Sequence, residues 1–229
     1  MSDGGREHFQ RELLKLNEKV LKMGGMVEQA IYKSVKALAK MDSSLAQEVV
    51  DTDDMIDKLE LGIDDLCLEL LATQQPMAID LRFIATGMRI ATDLERMGDL
   101  SVDVAERAIE LSTQPMLKPL IDIPKMGELA QKMVHEALDA FVKRDASMAR
   151  ALWKDEEQAD RYRDLIHDEL LGSMNKDPQA ASRAIPLILI SRHLERIADH
   201  ATNIAEDVIY MVEGTVVKHL PKEISRYST

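Results

Sequence analysis

The chain is written twice. Lys40-Met41-Asp42 returns as Lys143-Arg144-Asp145, displaced by 103 residues, and Leu94-Glu95-Arg96 with Asp99 returns as Leu194-Glu195-Arg196 with Asp199, displaced by 100. Ala105-Glu106 and Ile109 return as Ala205-Glu206 and Ile209. A period of that length is far beyond the roughly 20–50 residues of a solenoid repeat. The duplicated unit is therefore a complete supersecondary assembly, and the fold has to accommodate two equivalent halves.

Turn signals suggest what each half contains. Breaks fall near Met41-Asp42-Ser43-Ser44, Gln74-Gln75-Pro76, Thr113 to Pro124, Arg144-Asp145 and Asn175-Lys176-Asp177-Pro178. They leave six segments, longer than the usual globular helix, as in bundles. Aromatic residues make up 3% of the chain, whereas 14 residues are Met and Ala and Leu are abundant, which favours helix over sheet. Gly24-Gly25 falls inside the first segment and is a candidate kink. The expected fold is all-α: two tandem three-helix bundles related by internal duplication, 1–114 and 125–229, joined by a proline-rich linker at 115–124.

The acidic residues follow the repeat. Asp53/Asp57 maps onto Glu156/Asp160 at the 103-residue displacement, and Glu95/Asp99 maps onto Glu195/Asp199 at the 100-residue displacement. Residues four apart share a helix face, so each pair presents two carboxylates together. Taken as a helix, Leu81 to Leu111 gathers Phe83, Ile90, Leu94, Met97 and Ala108 on one side, with Arg89, Asp93 and Arg107 opposite. Glu95 and Asp99 fall at the edge of the apolar surface. Acids on a helix are ordinarily a solvated face, and Arg96 and Arg196 are available as surface partners. Two features argue for more: like charges are stacked at Glu95, Asp99 and Asp103 although such spacing is unfavourable, and the pairs recur in both halves. Four carboxylates on two adjacent helices suit oxygen-preferring ions such as Fe, Mn, Mg or Ca, with zinc also possible.

Other chemistries find little support. A net charge of −12 disfavours nucleic acid and anionic membrane surfaces. Neither a GxxxxGK[ST] nor a GxGxxG loop is present. Cys67 is alone, which excludes a disulfide framework and suits a reducing compartment. The N-terminus, Met1 to Gln10, has no apolar signal core, and the longest apolar run, Ala184 to Ile190, is too short to span a bilayer. A cytoplasmic protein without catalytic activity is expected. The alternative is a helical carboxylate-bridged metalloenzyme or metal-storage protein, but a di-iron oxidase wants acid-x-x-His on two helices, and Asp164-Leu165-Ile166-His167 occurs once.

The run Ile190-Ser191-Arg192-His193-Leu194-Glu195-Arg196-Ile197-Ala198-Asp199-His200-Ala201-Thr202-Asn203-Ile204-Ala205-Glu206-Asp207 resembles the PhoU family. So do Gln75-Pro76-Met77-Ala78-Ile79-Asp80-Leu81-Arg82 and Asp93-Leu94-Glu95-Arg96-Met97-Gly98-Asp99. The resemblance implies a cytoplasmic negative regulator of phosphate uptake and starvation signalling. It implies an adaptor between the ATPase of a phosphate ABC transporter and a sensor histidine kinase, commonly homodimeric and without membrane insertion. It also implies metal ions, in some members multinuclear, with iron first and zinc, manganese or magnesium as alternatives. The implied ligands are Asp53, Asp57, Glu95, Asp99 and Asp103 in the first half, and Glu156, Asp160, Glu195, Asp199 and Asn203 in the second. The first half departs from the pattern: Leu100-Ser101-Val102-Asp103 stands where the second has His200-Ala201-Thr202-Asn203, so the two sites are expected to differ in charge.

Overall fold

Two aspartates cap helices in the same way, one in each half. Asp42 accepts a hydrogen bond from the Leu45 N–H, and Asp145 accepts from the N–H groups of Ser147 and Met148. The residue before each takes a left-handed φ, 54° at Met41 and 52° at Arg144, which ends the preceding helix and reverses the chain. The computed structural model describes residues 3–217. Its helices are α1 (Asp3–Lys40), α2 (Ser43–Gln74), α3 (Ala78–Ser112), α4 (Asp122–Lys143), α5 (Ala146–Lys176) and α6 (Ala181–Glu213). A 3-10 turn, Pro178–Ala180, precedes α6. The described residues contain no strand, and the fold is the expected all-α, two-repeat arrangement. The expected outer ends of the repeats, residues 1–2 and 218–229, lie outside the described residues.

The two displacements have a local explanation. Three residues, Gln75-Pro76-Met77, separate α2 from α3, whereas Asp177 alone separates α5 from the 3-10 turn, and α5 has 31 residues where α2 has 32, which together make the difference of three. Everything before this turn is displaced by 103 and everything after it by 100. The connection between the halves is residues 113–121, since Asp122-Ile123-Pro124 already form the first turn of α4.

The outer helices α2 and α5 bury narrow stripes. On α2 these are Val49, Ile56, Ile63 and Leu70, seven residues apart. Helices α3 and α6 are buried nearly all round, because each also packs on the other. Their contacts run antiparallel: Arg82 Nε donates to the Met211 carbonyl at 3.0 Å, and Arg89 pairs with Asp207 at 3.0 Å. Helices α1 and α4 also meet across the halves. A Cβ on Gly24 would collide with the Leu138 side chain, and one on Gly127 would lie 2.8 Å from Val35. Both contacts are the same contact displaced by 103, Gly24 with Gly127 and Val35 with Leu138, so a pseudo-two-fold axis relates the halves. Gly24 is thus a close-approach residue inside a continuous helix. Phe83 and Phe141 stack at 5.1 Å across this junction, with the Arg144 guanidinium 4.6 Å from the Phe83 ring.

Candidate metal centre

In the first half, the acidic edge of α2 lies against that of α3. Gly98 makes the approach possible: a Cβ there would stand 3.2 Å from Ile56 Cδ1 and 3.4 Å from Asp53 Oδ1. The carboxylate of Asp53 therefore sits against the α3 backbone. Its pKa is pushed up to about 6, first by partial burial, then by Asp57, Asp99 and Asp54. Glu95 is raised by partial burial and by Asp99, Glu60 and Asp57. Asp99 is raised by loss of solvent and by Asp57 and Asp103. The five first-half residues expected from the sequence thus share one face and act on one another. Glu60 and Asp64 extend the row on α2, and both are raised by partial burial first. Their place was readable in retrospect, since Glu60 lies seven residues after Asp53 and Asp64 seven after Asp57.

The second half repeats the arrangement with one change. Asp199 is pushed up to about 6 by burial of its carboxyl, then by Glu195, Glu156 and Asp160, with His200 opposing. Asp199 keeps substantial solvent access as a residue, so its shift reflects the crowd of carboxylates as much as enclosure. Asn203, one turn on, is half-buried. Between the two rows stands Arg163. Its Nη1 donates to Glu195 at 2.5 Å and to Asp160 at 2.9 Å, and its Nη2 to Asp164 at 2.9 Å. Displaced by 103, Arg163 is the counterpart of Glu60.

The helix face carrying Arg89 and Asp93, expected opposite the apolar surface, meets α6. Asp93 is buried and its carboxylate lies 2.8 Å from His200 Nδ1. Arg89 reaches the buried Asp207. The reading as a polar side failed because a helix with neighbours on three sides has little free face to give. Asp103 reaches across the same seam to His193 at 3.5 Å. Both histidines at the final motif thus occupy interhelix positions, one turn from the acidic rows.

The donor set fits a hard cation. It is made of carboxylate oxygens, and Asp64 Oδ1 is buried with no hydrogen-bond partner beside the first row. Among the described residues no three Asp, Glu, His or Cys side chains already converge on one point. Like charges without a counter-ion hold apart, so closure onto a common ion requires side-chain rotation and a cation to compensate. No helix of the described residues is long and apolar enough to cross a membrane.

Comparison with known proteins places this architecture. The sequence model of the PhoU domain matches residues 20–108 and 123–208, one match in each half. A Pseudomonas aeruginosa protein named as a phosphate-specific transport system accessory protein PhoU homolog is 42% identical over 215 residues, covering 93% of this chain and 89% of that protein. An Aquifex aeolicus protein of the same name is 41% identical over 209 residues, covering 91% and 95%. The crystal structure of PhoU from Pseudomonas aeruginosa superposes with a TM-score of 0.87 at 43% identity, covering 90% of this chain and 100% of that one. A phosphate transport system regulatory protein PhoU from Streptococcus pneumoniae superposes at 0.85 with 31% identity, covering 92% and 99%. With both repeats matched and relatives this similar along nearly their whole length, the chain belongs to the PhoU family.

Proposed function

We propose that this chain is a PhoU-type accessory regulator of phosphate transport, holding down phosphate uptake and starvation signalling when phosphate is ample. It acts by contact rather than catalysis, as a cytoplasmic adaptor between the ATPase of a phosphate ABC transporter and a sensor histidine kinase, and it works as a homodimer. The observation that carries the reading is the PhoU match in both halves, among relatives named as accessory proteins of the phosphate-specific transport system.

Metal is the tuning element of this proposal. Asp53, Asp57, Glu95, Asp99 and Asp103 hold ions on one face, and Glu156, Asp160, Glu195, Asp199 and Asn203 on the other, with iron first and zinc, manganese or magnesium as alternatives. Cations filling the sites change the local charge by several units. The protein's own residues set where that charge can sit and which partner surface the face then suits.

The test is a deletion strain grown in ample phosphate and carrying a phosphate-starvation reporter. The reporter rises on deletion and is repressed again by the wild-type protein. A reporter that stays repressed without the protein, in a strain lacking any paralogue, contradicts the regulatory role. Full repression by a quadruple Glu95→Ala, Asp99→Ala, Glu195→Ala, Asp199→Ala variant leaves the role standing and removes metal from it.

A further inference from the structure

The two acidic faces are equivalent by position and unequal in composition. Where α2 carries Glu60, α5 carries Arg163, and that guanidinium lies inside the second cluster, within 2.9 Å of carboxylate oxygens on both α5 and α6. Arginine holds two carboxylates in a fixed fork and stays charged at any accessible pH. We propose that Arg163 is a resident counter-cation that fills the second cluster in place of a metal, so that divalent cations load the first half tightly and enter the second only by displacing the Arg163 side chain.

The inference rests on the reading of the acidic faces as metal sites and adds an order of loading to it. The first cluster has the opposite character at the matching place, where Glu60 adds negative charge and α5 carries a guanidinium. A cation entering the first face competes with the nearby charge of Arg96, beside Glu60 and Glu95, and breaks no arginine bridge between the two rows. One entering the second face must first break the bonds from Arg163 to Asp160 and Glu195, and then share the site with a like charge unless the guanidinium swings away. Arg163 is half-buried on the surface side of α5, so it has room to leave. The halves then respond over different ranges of metal concentration.

Mn²⁺ binding to the full chain, followed by the electron paramagnetic resonance of free Mn²⁺, tests this. Asp57→Asn with Asp99→Asn disables the first cluster and removes the tight binding. Adding Arg163→Gln to that background tightens the residual binding by about tenfold or more. Arg163→Lys, which keeps the charge, leaves it near the starting value. Independently, in chelator-treated protein with its first cluster intact, Arg163→Gln lowers the melting temperature and Mn²⁺ raises it by more than in wild type. Tight binding that is lost with the first cluster, but residual binding indifferent to Arg163→Gln, overturns the role of Arg163 and leaves the metal reading in place. Absence of Mn²⁺ binding in wild type and all variants overturns the metal reading, and the inference falls with it.

Discussion

Asp53 and Asp199 bind protons more tightly in the folded chain than in the unfolded one, with folded values of about 6 against an ordinary 3.8. For a raised carboxylate the folded state gains as pH falls through 6 and the gain is complete below 3.8. In metal-free protein these two groups therefore make stability decline as pH rises from about 4 to about 6, and the strain persists at neutral pH. Asp53→Asn and Asp199→Asn are each expected to raise the melting temperature of chelator-treated protein at pH 7.5. They should also flatten its pH dependence between 4 and 6. A lower melting temperature at pH 7.5 would show that these carboxylates are already compensated. The buried Asp93–His200 pair behaves in the opposite way, since removing one partner strands the other. Asp93→Ala should cost about 1–3 kcal/mol in chemical denaturation, and His200→Ala in the same background should cost much less than it does alone. Additive effects would mean that the pair does not interact in solution. The carboxylate rows were readable from spacing and recurrence, because four-residue spacing on a helix leaves little choice of face. Asp93 and Arg163 were not, since whether a charge meets solvent or another helix depends on packing that periodicity does not contain.

At the scale of helices, glycine separates two kinds of contact. Gly25 faces open space, with nothing within 4 Å of a Cβ, whereas Gly127 faces the stiff β-branched Val35 at 2.8–3.3 Å. Alanine is better than glycine in a helix by about 1 kcal/mol. Gly25→Ala should therefore stabilise the protein by about that amount. In Gly127→Ala the same gain is outweighed by overpacking of about 1–3 kcal/mol, and Val35→Ala in combination should relieve part of the loss. Equal stabilisation by Gly25→Ala and Gly127→Ala would mean that α1 and α4 do not pack this closely. Helix boundaries followed the turn residues: Asp42 and Asp145, read only as breaks, prove to be N-caps. The proline-rich stretch was read as running to 124, but proline is tolerated in the first turn of a helix, and Pro124 sits there in α4. Gly24 was read as a candidate kink because sequence alone does not reveal the Leu138 side chain that approaches it in a continuous helix.

At the scale of the whole molecule, the duplicated halves resemble a dimer joined into one chain. Helices α3 with α6 and α1 with α4 form the self-complementary junction, and α2 with α5 complete the acidic faces on opposite flanks. Duplication was evident from the displacements of 103 and 100, but the axis relating the halves became visible only with the paired contacts of Gly24 and Gly127. Such an arrangement gives one body two related faces that share a buried seam, with Asp103 and His193 reaching across it from the edge of the acidic rows. Metal-tuned regulation depends most on those faces being cation sites. The direct measurement is anomalous diffraction at the iron edge from crystals of protein prepared with Fe²⁺ and without chelator. A peak bounded by Asp53, Asp57, Glu95 and Asp99, stronger than any peak among Glu156, Asp160, Glu195 and Asp199, is the predicted result. Well-ordered carboxylates on both faces with no anomalous peak at either would contradict it.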